Sequence, residues 1–247
     1  MGILQLLFGQ SDTPSVKQIQ RATKAIMQPL GDPIGRYNAA SRLIQWGTEE
    51  SLYAALQRFT IQLPSLTIDQ QEKEELCQRL IHCGDRIIHP IRRYIRQQTE
   101  IRWPCEILQC LLPEEEYAQE ILEVLKELRG RHIRDEEQKA RLIQHLPGNP
   151  SPASREVVLS FLDEENDDVV LTAVEYLASA ESEELKARLI QVLLHSDDRP
   201  RVKAWVAKLF AEKNWTVRPH TSELESKMPE GFYLTSKGFV RRQEGPA

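Results

Sequence analysis

The stretch RYNAASRLIQWGTEESLYAALQRF, residues Arg36–Phe59, decides the fold. It holds two segments in which apolar residues return every three to four positions, the spacing of an amphipathic helix. Between them, Gly47 suits the left-handed residue that ends a helix, and Thr48 suits the cap of the next helix. The stretch therefore predicts a helical hairpin, which cannot bury both of its apolar faces by itself.

The pattern of this hairpin recurs along the chain. After Arg36, small residues stand at positions +3 and +4, a leucine at +7 and a glycine at +11. The same frame begins again at Lys73, Val170 and Lys203, although the copies at Val170 and Lys203 lack the glycine, and two looser helix pairs occupy 103–128 and 135–162. Equivalent positions lie about 30–37 residues apart, which is the range of helical solenoids.

At these residues the chain resembles the HEAT-repeat family, the armadillo-type helical repeats, including the HEAT-like variants common in bacteria. The resemblance covers about residues 34–213, roughly the span of the recurring frame. It implies an all-α fold, a right-handed α-α superhelix of about five to six helical hairpins in which the second helices line a concave surface. It is specific for fold and weak for function, because this scaffold hosts many unrelated tasks.

Three parts are predicted from these patterns. They are a short N-terminal leader helix (1–14), the repeat array (15–213) and a small α+β cap (214–247). In the cap, Gly238 is placed for the left-handed residue of a β-hairpin loop. A cap of this kind would shield the apolar end of the last repeat, as terminal units of solenoids do.

Two connections are irregular for a tight repeat array. Residues 62–71 are predicted to form a loop longer than usual, and residues 129–134 (RGRHIR) form a basic connector. Long loops in such arrays are where binding specificity tends to lie.

Composition limits the classes of function. The 247 residues carry a formal net charge of −5 and a pI near 5.8, which argues against a protein that coats nucleic-acid phosphates. The four cysteines lack zinc-site spacing and are expected to be reduced and mostly buried, as in a reducing compartment. The first residues, MGILQLLFGQSD, are too short and interrupted for a membrane span. We therefore expect a cytoplasmic protein.

No motif of useful specificity for catalysis, a cofactor or a metal is found in the sequence. His195, Ser196 and Asp197 have the residue types of a triad, but consecutive residues do not supply its geometry. His82 and His89 suggest a metal only until the helix break at Gly84 is considered. The prediction is a non-enzyme without cofactor or metal.

A charge contrast between two successive second helices is the most informative surface feature. The candidate partner-binding residues are basic: Arg86, His89, Arg92, Arg93, Arg96 and Arg102. The next second helix is acidic: Glu114, Glu115, Glu116, Glu120, Glu123 and Glu127. Two interpretations stay open: either the basic helix grips a phosphate, a carboxylate or an acidic peptide, as guanidinium geometry allows, or the two helices pair with each other.

The function that these features favour is a non-catalytic HEAT-repeat scaffold for protein–protein interaction, acting through the concave face of the second helices. Nucleic acid is an unlikely partner, and the identity of the protein partner and the oligomeric state are open. One alternative is a HEAT-like enzyme such as an alkylpurine DNA glycosylase, for which Trp46, Trp103 and Asp85 supply residue types but no motif. The other is a chaperone factor related to the bilin lyases of phycobilisomes, for which the chain offers no pigment-specific signature.

Overall fold

The structure is a computed structural model that describes residues 13–129, 136–180 and 182–243. These residues are mostly α-helical, and the strands among them are two short ones, so the expectation of a mainly α-helical fold with a small β element is confirmed. Most of the predicted leader 1–14 and of the basic connector 129–134 lies outside the described residues. No helix in the described part of the chain is long and apolar enough to cross a membrane.

Two compact units divide the chain, Met1–Glu120 and Ile121–Ala247, and the predicted boundaries at 14 and 213 remain predictions. The helices of the first unit are α1 (Val16–Ile26), α2 (Pro33–Trp46), α3 (Glu49–Leu56), α4 (Leu66–Ile81), α5 (Ile88–Ile95) and α6 (Arg102–Leu111). The point of division falls within α7 (Glu114–Leu128).

Helices of the first unit pack on their second neighbours as well as on the next helix. Helix α2 contacts α3 and α4, α4 contacts α6, and α3 contacts α5, while α1 packs on α2 and α3. Fully buried Leu43, Leu52, Leu80 and Ile91 contribute to the core of this unit. The hairpins thus bury in one another the apolar faces that none buries alone.

Local signals place the hairpin turn as predicted. Gly47 has φ of 61° at the end of α2, and the side chain of Thr48 accepts a hydrogen bond from the Ser51 amide at 3.2 Å. Upstream, Asp32 caps α2 directly before Pro33 at the first helical position. These positions follow from local backbone chemistry.

The predicted long loop at 62–71 is wrong. Helix α4 begins at Leu66, capped by Ser65, so the connection is short. The Asp69 carboxylate accepts hydrogen bonds from Arg58 at 2.7 Å and lies 2.8 Å from Lys73 Nζ. This contact with the preceding hairpin holds the first turn of α4 in place, and a polar run that reads as a loop becomes helix.

The second unit contains six helices and the hairpin among its described residues. They are α8 (Glu136–Gln144), α9 (Pro152–Leu159), α10 (Asp167–Leu177), α11 (Glu183–His195), α12 (Pro200–Glu212) and α13 (Thr221–Glu225), followed by β1 (Phe232–Leu234) and β2 (Val240–Arg242). Helix α10 packs on α8, α9 and α12, and α12 contacts α11 and β2.

The β-hairpin near the C-terminal end forms where the turn signal lies. Strands β1 and β2 are antiparallel, with Tyr233 opposite Arg241, and Gly238 in the loop has φ of 80°. Trp215 packs edge-on against Phe210 at 5.5 Å between ring centroids, which fixes the start of this segment on α12. The hairpin prediction is confirmed.

All four cysteines are free thiols. Cys77, Cys83 and Cys105 are buried, whereas Cys110 is exposed, so the prediction of burial holds for three of them. Burial raises the pKa of the Cys77 thiol to about 11, which keeps it protonated near neutral pH.

Candidate functional site

Helix α5 carries three residues of the predicted basic cluster, and its packing decides which side chains reach the surface. The 3-10 turn Gly84–Ile87 leads directly into it. Ile91 and Ile95 are fully buried, and Arg92 and Arg93 fall between them on the half-exposed side. The apolar periodicity of α5 therefore turns its arginines outward.

The neighbouring helix α3 supplies carboxylates to this side of α5. Glu49 Oε1 lies 2.9 Å from His89 Nδ1, and Glu50 Oε1 lies 2.9 Å from Arg93 Nη1. Both glutamates stand in the first turn of α3, where the helix dipole favours negative charge. Each glutamate thus interacts favourably with the dipole of α3 and also pairs with a basic side chain of α5.

Tyr53 lies between the two helices and is held from several sides. The Arg93 guanidinium carbon lies 4.2 Å from the centre of its ring. Its hydroxyl donates to Gln97 Oε1 at 2.7 Å, and Tyr94 meets it edge-on at 6.4 Å between centroids. We call the side chains of Glu49, Glu50, Tyr53, His89, Arg93 and Gln97 the Tyr53 surface.

The other arginines of α5 make contacts of a different kind. Arg92 pairs with Glu120, a residue of the predicted acidic helix. Arg96 Nη1 donates to the main-chain carbonyl of Arg92 at 2.9 Å. Arg92 therefore makes an ion pair with the following acidic helix.

Arg86 and Arg102 lie off α5 itself. Arg86 donates from Nε to the Cys83 carbonyl at 3.4 Å. Arg102 lies on α6, where its Nε contacts Glu106 at 2.9 Å and its guanidinium lies 4.9 Å from the Trp103 ring centre. Neither belongs to the Tyr53 surface.

Carboxylates lie close to several residues of the basic cluster. Contacts with a carboxylate are made by His89, Arg92, Arg93 and Arg102. His89 and Arg93 contact glutamates of α3, and Arg92 contacts Glu120 of α7. The contacts with α3 were not among the predicted ones, and they place charges of both signs on this side of α5.

The first unit also contains a cavity of about 1060 Å³ between α1 and α2. This cavity was not predicted from the sequence. We call it the α1–α2 groove. Its lining combines small residues with polar ones and one tryptophan: Ala22, Ala25, Gly35, Ala39, Gln18, Arg21, Asn38, Arg42, Gln45, Trp46, Thr13 and Thr48. The small side chains leave the cavity open, and the polar side chains line it with hydrogen-bonding and charged groups.

Arg21 and Arg42 are the charged residues of this lining, and both are exposed. Neither contacts a carboxylate among the described residues. A signal was present in the sequence, because residues 13–46 hold five basic residues and one acidic residue within a chain of net charge −5. Apolar periodicity alone does not reveal such a local excess of positive charge.

A cavity in the second unit provides a contrast. It measures about 700 Å³ and is lined by residues of α8, α10 and α12. Its two arginines are paired, Arg141 with Glu137 and Arg201 with Asp168, each at 2.7 Å. The lining also contains further carboxylates, so this cavity offers no unpaired positive charge.

The triad-like run of the sequence does not assemble into a relay. His195 Nδ1 lies 3.1 Å from the Gln191 carbonyl, whereas Asp197 contacts Lys203 at 2.5 Å. Within the described part of the chain, no group of three His, Cys, Asp or Glu side chains is arranged to hold a metal ion.

Comparison with known proteins assigns no family to the chain. A scan against protein-family models, a search of curated proteins and a search of solved structures find no match. Its function is therefore inferred from its own residues and their geometry.

Proposed function

We propose that this chain is a non-catalytic, HEAT-like helical-repeat scaffold that binds a protein partner through the Tyr53 surface. In this proposal the hairpins stack as a right-handed α-α superhelix, and α3 and α5 are successive second helices. The observation that carries the binding role is the arrangement around Tyr53, where aromatic and charged side chains are ordered yet remain partly exposed.

The first position of the repeat frame supports the HEAT-like scaffold. Arg36, Lys73 and Lys203 occupy this position in three copies, and each is buried or nearly so. A buried or nearly buried cation therefore recurs at this position of the frame. Each pairs with a carboxylate: Arg36 with Glu72 at 2.7 Å, Lys73 with Asp69 at 2.8 Å and Lys203 with Asp197 at 2.5 Å.

Helix packing within each unit also supports a stack of hairpins. In the first unit α2, α4 and α6 are successive neighbours, as are α3 and α5. In the second unit α8, α10 and α12 are successive neighbours. Contact between every second helix is what an array of helical hairpins requires.

The residue types of the Tyr53 surface suit a protein partner. Tyrosine and arginine are enriched among the residues that dominate protein–protein binding energy. Because Arg93 and Gln97 already hold Tyr53, little side-chain freedom remains to be lost on binding. The paired glutamates Glu49 and Glu50 offset the positive charge, which disfavours a run of phosphates.

The geometry does not favour the alternative functions. Trp103, one of the aromatic residues considered for a DNA glycosylase, is 6% exposed and stacks on Phe59 with 6.1 Å between centroids. A ring packed in this way is not open for stacking on a base. No observation favours the bilin-lyase-like alternative.

A charge-swap experiment tests the proposal. Partners are first identified by affinity purification with the full chain, and their affinities are then measured in titrations. The variant Glu50→Arg/Arg93→Glu keeps an ion pair in reversed orientation, so the fold should be retained while the presented charges change. We expect loss of partner affinity in this variant and in Tyr53→Ala, because both alter the ordered unit.

The control carries the same kind of change in the second unit, where Asp168→Arg/Arg201→Asp swaps an exposed pair. It should bind the same partners with unchanged affinity. Unchanged binding by both Tyr53-surface variants would remove this surface from the proposal. Retention of duplex DNA in a low-salt gel shift, lost in those variants, would instead indicate nucleic-acid binding.

A further inference from the structure

Positive charge follows one side of α1 along the α1–α2 groove. Lys17, Arg21 and Lys24 are spaced i, i+4 and i+7, which puts them on one stripe of the helix. All three are exposed, and Arg21 lines the groove. Across it, Arg42 contributes a second guanidinium from α2.

The acidic residue within positions 13–46 caps a helix and does not pair with these basic side chains. Asp32 is the sole acidic residue between positions 13 and 46. Its two oxygens accept hydrogen bonds from the amides of Ile34 and Gly35, at 3.3 and 3.0 Å, as the cap of α2. Arg21 and Arg42 therefore have no carboxylate partner among the described residues, unlike Arg92 and Arg93.

We infer that the α1–α2 groove is a binding site for an acidic segment of a partner protein. Arg21 and Arg42 pair with its carboxylates, a match for which the planar guanidinium is well suited. Asn38 and Gln45 each carry an amide that both donates and accepts, which suits the main chain of a bound segment. The groove shares no lining residue with the Tyr53 surface, so this site does not depend on the function proposed there.

The lining of the groove favours a peptide over a nucleic acid. The small lining residues Ala22, Ala25 and Ala39 let a main chain approach closely. Trp46 is the single aromatic residue of the lining, whereas sites for single strands usually stack successive bases on several rings.

The test titrates the full chain with an oligoglutamate peptide and with the matched oligoglutamine peptide. Oligoglutamate should bind, and oligoglutamine should bind far more weakly. The variant Arg21→Gln/Arg42→Gln should lower oligoglutamate affinity about tenfold, the effect of losing two partly exposed ion pairs. Added salt should weaken binding by the wild type more than by the variant.

Two further variants separate groove binding from general electrostatics. Arg141→Gln/Arg201→Gln removes the same charge from the second unit and should leave oligoglutamate affinity unchanged. Ala25→Leu fills the groove without changing charge or helix propensity appreciably, and it should weaken binding as well. Circular dichroism of Arg21→Gln/Arg42→Gln and of Ala25→Leu checks that each variant keeps the helicity of the wild type.

Several results would overturn the inference. These are equal binding of the two peptides, equal losses from the two arginine pairs, or no effect of Ala25→Leu in a folded variant. Tighter binding of oligothymidylate, lost in Arg21→Gln/Arg42→Gln, would assign the groove to nucleic acid instead. A photo-crosslinking phenylalanine analogue at position 45 that reacts with residues 1–12 rather than with the peptide would show that the chain itself fills the groove.

Discussion

Two groups of arginines in the first unit make similar ion pairs with different physical consequences. Arg58 is 2% exposed and contacts both Asp69, at 2.7 Å, and Glu72, at 3.1 Å. Arg93 is 36% exposed and contacts Glu50, which is itself 62% exposed, at 2.9 Å. The distances are alike, but the surroundings are not.

The difference separates scaffold from surface. A buried charge whose partner is removed has no water to replace it, whereas an exposed pair exchanges its partner for water at little cost. The buried network of Arg36, Arg58, Asp69, Glu72 and Lys73 therefore fastens α4 to the preceding hairpin. The exposed pairs of the Tyr53 surface contribute little to stability.

The largest expected effect comes from breaking the buried network. Arg58→Met should lower the free energy of unfolding by about 3–5 kcal/mol, because Asp69 and Glu72 lose a shared cation inside the protein. Urea unfolding followed by circular dichroism measures the change. The matched substitution Arg93→Met should cost less than about 1 kcal/mol. Equal costs at the two positions would contradict the comparison.

A pH dependence of stability should follow from the same network. Burial alone would raise the pKa of Asp69 and of Glu72, but hydrogen bonds from Lys73 and Arg58 to Asp69, and from Arg36 and Arg58 to Glu72, hold both pKa values below their ordinary range. Their stabilisation is therefore present above the unfolded-state pKa, near 4, and is lost as pH falls through the lower folded-state values.

Urea midpoints measured from neutral pH down to about pH 3 test this expectation. The wild type should lose stability steadily below about pH 5. Arg58→Met should show a shallower loss, because part of the interaction that depresses the pKa of both carboxylates is absent. Parallel curves for the two proteins would mean that other groups dominate the acid response.

A smaller effect tests whether the exposed side chain of Arg86 moves aside when a methyl group is added at Gly47. A Cβ at Gly47, with φ of 61°, would lie 2.7 Å from Arg86 Nη1, whereas one at Gly84, with φ of 57°, would meet nothing within 4 Å. Both alanine variants should lose about 1–2 kcal/mol from left-handed strain. Because Arg86 is exposed and its guanidinium is free to swing aside, the two losses should agree within about 0.5 kcal/mol.

Gly148→Ala is the matched control, since a Cβ there meets nothing within 4 Å and no positive φ is involved. Its stability should be unchanged or slightly raised. A loss at Gly47 that clearly exceeds the loss at Gly84 would show that Arg86 is held firmly, which would weaken the contrast between buried and exposed arginines.

The smallest expected effect is the coupling between Glu50 and Arg93. A double-mutant cycle with alanine at both positions should give about 0.2–1 kcal/mol, and the coupling should fall as salt is added. Thermal or urea unfolding of the four proteins measures it. A coupling of several kcal/mol would place this pair with the buried network.

Sequence reasoning succeeded where the controlling interactions are local. Gly47 ends α2, Thr48 caps α3, and Gly238 turns the β-hairpin, because each depends on the backbone conformation of a few adjacent residues. It failed at residues 62–71, where Asp69 is held by Arg58 from the preceding hairpin. A polar run has no local mark of such a distant partner.

The candidate site was predicted in composition but not in pairing. The basic residues of α5 are visible in the sequence, and so is the acidic helix that follows. Their partners are not, since Glu50 stands 43 residues before Arg93. The α1–α2 groove left a trace in the charge imbalance of residues 13–46, but the sequence does not reveal the cavity itself.

By itself, the sequence of Arg36–Phe59 and its weaker copies determined the helices, their caps and turns, and the apolar faces that must be buried. These follow from periodicity and backbone chemistry within a few residues. Only the tertiary structure decided which arginines are buried, which form an ion pair with a carboxylate and which line an open groove. Those outcomes depend on helices brought together from distant parts of the chain, and burial sets what each charge is worth.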